Sequence, residues 1–220
     1  MPRPTSPLLS RPRICQVALV LIDELGLEEF SMRRLAAKLN VQAASIYGHY
    51  ANKDDVLDAV ANALIRDVDT SAFGQGWRPG LLTWGCSYKA ILEAHPHAAP
   101  IIAAGAGERF EFLAMANGVH GGLVGDGWPP RYATMIAASV KYLVVGSAMT
   151  PFSSGFSDDA SIYLDRYPHL HQAHRLRQQA KRIDSDSFEL ALESLIAGLA
   201  PVYESVRSDL DAEAMRMGKS

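Results

Sequence analysis

Residues 31–50 read SMRRLAAKLNVQAASIYGHY, and how this run divides into helical turns decides the fold. Ser31 is suited to cap a two-turn helix whose inward face is Met32, Leu35, Ala36 and Leu39, and Asn40 suits the left-handed residue that closes it. A short hinge then leads to another brief helix, predicted from about Gln42 to Tyr47. Such a pair, braced by a helix ahead of it, has the layout of a helix-turn-helix, whose later helix lies in the DNA major groove while the earlier one crosses the backbone. Helix lengths alone leave a plain structural hairpin equally open. The side chains weigh against it: Gln42, Ala43, Ser45, Tyr47 and His49 are small or polar, a poor core face and a good groove face. Glutamine can pair with a base edge, alanine can touch a thymine methyl, and the hydroxyls can reach bases or phosphates. Lys53 follows where a phosphate strand would run, whereas Tyr50 reads as cover for the small core.

Moving outward, Ile14, Val17, Ala18, Leu21, Ile22 and Leu25 mark one face of a preceding helix, with Ser10 as its cap and Gly26 as its stop. Asn52 opens a helix with Asp54 and Asp55 in its first turn, where they complement the macrodipole, and a stripe of Val56, Leu57, Val60 and Leu64. Further helices are predicted near 80–94, 97–104, 107–124, 129–149, 160–178 and 184–207, separated by Pro and Gly, with no strand pattern of comparable length. The fold class is all-α, with a flexible arm at 1–10, a helix-turn-helix domain at 11–55, and a larger helical domain at 56–220.

The run SMRRLAAKLNVQAASIYGHYANKDDVLDAV, residues 31–60, resembles the tetracycline-repressor (TetR) family of bacterial transcriptional regulators. The resemblance rests on Leu35-Ala36, the Leu39-Asn40-Val41 hinge, Ile46-Tyr47, His49 before an aromatic, Asn52-Lys53, and Val56-Leu57. The preceding LSRPRICQVALVLIDELGLEEF is similar to that family's first helix, and DSFELALESLIAGL (186–199) is similar to the last long helix of the branch nearest the tetracycline repressor. The resemblance implies a homodimer on double-stranded operator DNA, each small domain reading one half-site while the larger domain holds an inducer cavity and the dimer interface. It further implies phosphate contacts from Ser31, Arg33 and Lys53 and a recognition surface of Gln42, Ala43, Ser45, Tyr47 and His49. Gly48, Ala43 and Ala44 depart from bulkier residues in many relatives, so an operator sequence does not carry over.

Composition agrees with a folded protein: 220 residues, 48% hydrophobic and 20% charged. Residues 1–53 hold seven Lys/Arg against four Asp/Glu, a net +3, and the remainder is −6, giving −3 overall. The basic end is thus the helix-turn-helix end, a weak sign of a polyanion partner. Two cysteines, Cys15 and Cys86, suit neither a disulfide scaffold nor a structural zinc site. The N-terminal stretch lacks an apolar signal core, and the apolar run Tyr132 to Met149 carries Lys141 and many Ala and Ser, so the expected location is cytoplasmic with no membrane partner. No nucleophile elbow, zinc-protease, phosphate-loop or dinucleotide motif occurs, which disfavours an enzyme. The histidine runs His95-Pro-His97 and His169-Leu-His171-Gln-Ala-His174 lack a diagnostic metal spacing, and no cofactor is expected.

Two further sets belong to the larger domain. Trp84, Tyr88, Ile102, Phe112, Met115, Val119, Met135 and Ser139 form, as a group, a mostly apolar and aromatic set suited to a small apolar or aromatic effector, although any single one reads better as core. Phe188, Leu192, Leu195, Ile196, Leu199, Val202, Tyr203 and Val206 form a stripe suited to bundle packing. Paired with Ile136, Val140, Leu143 and Val144, it gives an expected dimer interface of Ile136, Val140, Leu143, Leu192, Leu195, Ile196, Leu199, Val202 and Tyr203; the alternative is that the stripe packs on its own subunit. The functional expectation is a ligand-responsive repressor of a near-palindromic operator. The alternative is a small-molecule-binding helical protein with a vestigial DNA-binding module.

Overall fold

Side-chain caps set the starts of three of the first four helices in the computed structural model, which describes residues 9–104, 109–164 and 166–217. Helix α1 (Arg11–Leu25) starts where the extended Ser10 accepts the Arg13 amide on its hydroxyl (3.4 Å), and stops at Gly26, whose φ of 82° lies outside the range a side chain favours. Helix α2 (Met32–Leu39) is capped in the same way by Ser31, which accepts the Arg34 amide at 3.3 Å. It closes on Asn40 in the left-handed conformation (φ 55°, ψ 45°), with the Val41 amide donating back to the Ala36 carbonyl at 3.0 Å. Helix α3 (Ala43–Tyr47) is a single turn, and α4 (Lys53–Arg66) opens where Asn52 accepts the Asp55 amide at 2.8 Å. Each of these caps falls where the sequence places it.

The remaining helices are α5 (Trp77–Ala94), α6 (Ala99–Ala103), α7 (Phe110–Gly125), α8 (Pro130–Met149), α9 (Ser161–Leu164) and α10 (Ala180–Met217). No strand occurs among the described residues. The arm expected at 1–10 lies, except for residues 9 and 10, outside the described residues, as do 105–108. The helix expected at 160–178 is instead the short α9 followed by three separate 3-10 turns at 168–170, 173–175 and 177–179. Pro168 disfavours a helical residue before it, and of 166–179 only Ala173 is buried, so no apolar stripe holds a long helix down. The last helix is longer at both ends than the expected 184–207 and runs through Pro201.

Contacts divide the chain into Met1–Val68 with Ala90–Met115, and Asp69–Lys89 with Ala116–Ser220. In the first unit α1 packs on α2 and α4, α2 on α3, and α4 on α6. Its core is Ile14, Ala18, Ile22, Phe30, Leu35, Ile46, Val56 and Val60. The end of α1 is fastened to the turn after α5 by two histidines: His95 Nδ1 lies 2.8 Å from an Asp23 carboxylate oxygen, and His97 Nδ1 lies 2.9 Å from the Asp23 carbonyl. The His95-Pro-His97 run therefore has a structural use.

In the second unit α8 lies along α10, and α5 approaches both where it has no side chain. A Cβ on Gly85 would sit 2.9 Å from the Leu192 side chain and 3.4 Å from Val140. Trp77, Trp128 and Tyr203 form an aromatic knot, with ring centroids 5.4 Å apart for the edge-on tryptophan pair and 5.0 Å for Trp128 and Tyr203; the Tyr203 hydroxyl donates to the Asp126 carbonyl.

Candidate nucleic-acid interface

A one-turn helix has no stability of its own, so tertiary anchors must orient α3. Ile46 on its inner face is completely buried, and Tyr50 just beyond it is 5% exposed, its hydroxyl donating to the Arg11 carbonyl at 3.2 Å under the Arg11 guanidinium. With these two side chains fixed inward, Gln42, Ser45 and Tyr47 must point out, and all three are exposed, Tyr47 to 51%. Ala43 and His49 are half-buried at the edges of that face. Ala44 and Gly48, both exposed, complete it. Ala44 is not among the residues expected to meet DNA, although the periodicity that puts Ile46 inside already implies it as a surface residue.

The flanking residues expected to meet phosphates differ in their freedom. Arg33 is exposed on α2, while its neighbours Arg34 and Lys38 are held in ion pairs with Glu29 (2.5 Å) and Glu24 (2.7 Å). Ser31 is half-buried with its hydroxyl accepting a backbone amide, yet its O–H can still donate outward. Lys53 is half-buried, its ammonium 3.4 Å from the Leu27 carbonyl and 5.6 Å from the centre of the Phe30 ring. It therefore braces the turn between α1 and α2, and its two remaining N–H bonds are the ones that could face a phosphate.

The other two residue sets fare differently. Of the effector set, Trp84, Tyr88 and Val119 are buried in the second unit, and Ile102 and Met115 in the first, with Phe112 half-buried there. Met135, 51% exposed, and Ser139 lie instead on the outer face of α8, a correction to the expected cavity. Trp84 and Tyr88 sit one turn apart with ring centroids 6.3 Å apart, and neither the indole N–H nor the phenol has a hydrogen-bond partner among the described residues. Burial pushes the Tyr88 phenol up to about 12.

The expected dimer stripe is largely enclosed within its own chain. Ile136, Val140, Leu192 and Ile196 are buried where α8 and α10 meet, Leu143, Leu195 and Leu199 are half-buried, and Tyr203 belongs to the aromatic knot. Of the nine residues expected there only Val202 is exposed, at 38%. The outward faces of the same helices were missed, although their spacing is legible: Met135, Ser139, Tyr142, Gly146 and Met149 on α8, and Leu190, Ser194, Ala197 and Pro201 on α10, recur every three or four residues and are all exposed. Tyr142 is 74% and Leu190 69% exposed. The segment Pro130–Gly155 is long and apolar enough to cross a membrane, and 17% of its most apolar window is buried within the chain.

Comparison with known proteins accords with the geometry of the first unit. The family described as bacterial regulatory proteins, tetR family, matches residues 14–60, the segment from the core of α1 to the middle of α4. A transcriptional regulator of the helix-turn-helix type from Saccharopolyspora erythraea is 31% identical over 144 residues, 65% of this chain and 61% of that protein. The class G tetracycline repressor protein of Vibrio anguillarum is 27% identical over 207 residues, covering 90% of this chain and 97% of the relative. Among solved structures, a possible TetR family transcriptional regulator from Streptomyces coelicolor A3(2) superposes with a TM-score of 0.71 at 29% identity, over 88% of this chain and 100% of the other. These relatives are named as regulators and not as enzymes. With the caps, hinge and buried anchor of the helix-turn-helix in place, residues 14–60 carry the match to the tetR family of bacterial regulatory proteins, and over most of its length the chain is similar to transcriptional regulators of that family.

Proposed function

We propose that the protein is a ligand-responsive repressor that binds a near-palindromic operator as a homodimer and is released by a small apolar or aromatic effector. The observation that carries this reading is the orientation of α3: Ile46 wholly buried, with Gln42, Ser45 and Tyr47 exposed beside it. A helix that only covered a core would bury Ile46 as well; what favours a groove face is that the outward residues carry groups able to reach base edges and phosphates. In the proposed complex Gln42, Ala43, Ser45, Tyr47 and His49 meet base edges, and Ser31, Arg33 and Lys53 meet phosphates.

A second copy of the chain is the proposed cover for the outer faces of α8 and α10. Gly146, Ala197 and Ser194 allow close helix approach between bulky flanks such as Tyr142 and Leu190. The serines, the glycine and nearby Lys141 suit a protein partner better than lipid. Two such subunits place their recognition helices on successive major-groove faces when these are ~34–36 Å apart. Trp84 and Tyr88 support an effector site in the larger domain, because a buried donor without a partner costs about 1–3 kcal/mol and a ligand acceptor would remove that cost. An effector that prefers a different spacing of the two α3 helices weakens DNA binding; a coupling of ~3 kcal/mol is already ~150-fold.

The test is a gel shift with DNA from upstream of the protein's own gene, repeated at rising salt. A specific complex that weakens with salt and is lost in Tyr47→Ala and Arg33→Ala is the expected result. No shift with any upstream fragment would leave the vestigial-module alternative standing.

A further inference from the structure

We propose that a cleft between α1 and α4 in the first unit binds a small apolar carboxylate, at a place separate from the effector site of the larger domain. The cleft holds about 560 Å³, inside the ~300–1,000 Å³ range of small-molecule sites. It exists because α4 presents Ala59 and Ala63, one turn apart, opposite Leu19 of α1. These short side chains leave a depression that longer ones would fill. The Phe110 ring stands at its edge 74% exposed, an apolar surface that none of the described residues covers.

The polar chemistry of the cleft has one sign. Arg11 and Arg66 both line it, against a single acid, Glu111, which already accepts from Arg66 Nε at 2.9 Å. The Asn62 side-chain oxygen accepts the Glu111 amide at 3.1 Å, which leaves its two N–H bonds as donors. The Tyr50 hydroxyl donates to the Arg11 carbonyl, so it can accept but offers no spare proton. What remains unfilled is donor capacity on two guanidinium groups and an amide beside an apolar wall. That combination selects an anion with planar acceptors, to which arginine presents a matching fork, joined to an apolar body that covers Phe110 and the alanines. Tyr50 lines the cleft and also sits under α3, so a ligand there touches the seat of the recognition helix directly.

Cys15 lies in the cleft wall and gives a local readout. In a Cys86→Ser background it is the only thiol of the chain, and because burial pushes this thiol up, alkylation by iodoacetamide is followed at mildly alkaline pH. The probe is 2-naphthoate. At about ten times its Kd it should slow Cys15 alkylation ~10-fold, since only the free fraction reacts. The neutral 2-naphthalenemethanol should protect far less, and Arg66→Gln should weaken naphthoate protection more than Arg66→Lys, which keeps the charge but loses the fork. Equal protection by the neutral alcohol removes the carboxylate from the assignment and overturns it. So does naphthoate binding seen by calorimetry without protection of Cys15, which would place the ligand elsewhere. Alkylation that is blocked without ligand and freed by deleting residues 2–8 would make the chain's own start the occupant, and would overturn the assignment as well. The experiment needs neither DNA nor effector, so its failure leaves the repressor reading untouched.

Discussion

Ile46 and Tyr47 are adjacent on α3, one buried and the other half exposed, so truncating each should give opposite results. Ile46 is completely buried, and Ile46→Ala removes three carbons from a packed site. At about 0.8 kcal/mol per carbon the transfer contribution is ~2.4 kcal/mol, and the cavity left behind raises the total toward ~3–4 kcal/mol. Domains of this kind have ~5–15 kcal/mol in all, so the variant should still fold at low temperature but unfold at clearly lower denaturant. Tyr47, 51% exposed, has no such anchor, and Tyr47→Ala should change stability by less than ~0.5 kcal/mol. Urea titrations followed by circular dichroism give the stabilities, and gel shifts on the same preparations give DNA affinity. The expected pattern is a stability loss for Ile46→Ala, and for Tyr47→Ala a loss of DNA binding at unchanged stability. Ile46→Val, costing ~0.5–1.5 kcal/mol, should keep DNA binding and serves as the control. A stability loss below ~0.5 kcal/mol for Ile46→Ala, or a large one for Tyr47→Ala, would falsify the account of how α3 is oriented.

Asn40 holds the left-handed turn between α2 and α3, so Asn40→Val should destabilise by ~1–2 kcal/mol while Asn40→Gly is neutral or better, both read by thermal melting. Tyr142→Glu puts a charge on the outer face of α8 and should convert the proposed dimer to monomer in light scattering with little change in helix content; a dimer that persists would move the interface elsewhere. Tyr88 binds its proton more tightly in the folded state, so its contribution to stability is complete below pH ~10 and is lost as pH rises toward about 12. Tyr88→Phe should remove that alkaline loss, on the order of 2 kcal/mol, and alkaline denaturation curves of the two proteins should separate above pH ~10.

The starts and stops of the helices between residues 10 and 66 were legible in the sequence because their signals are local, whereas the packing of 90–115 into the same unit was not. Ser10, Ser31, Asn40 and Asn52 each act on the backbone within a few residues, so their identity fixes where a helix begins or ends. The burial of Ile46 beside exposed Tyr47 follows from the same short-range periodicity. Stripes on the long helices carry less information, because an apolar face announces that it will be covered and not by what. Ile136, Val140, Leu192 and Ile196 pack within their own chain, and only the tertiary arrangement of α8 against α10 left Met135, Tyr142 and Leu190 outside. Lys53 is a similar case: its charge pointed to phosphate, and the fold turned the ammonium toward Leu27 and Phe30, residues more than twenty positions away. The cleft lined by Arg11, Cys15 and Arg66 had no sequence signal at all, since it is the space left between two helices whose facing residues happen to be small. Local hydrogen bonding is written in neighbouring residues; the partner of a buried face and the shape of a void depend on which distant surfaces meet, and that was settled only by packing.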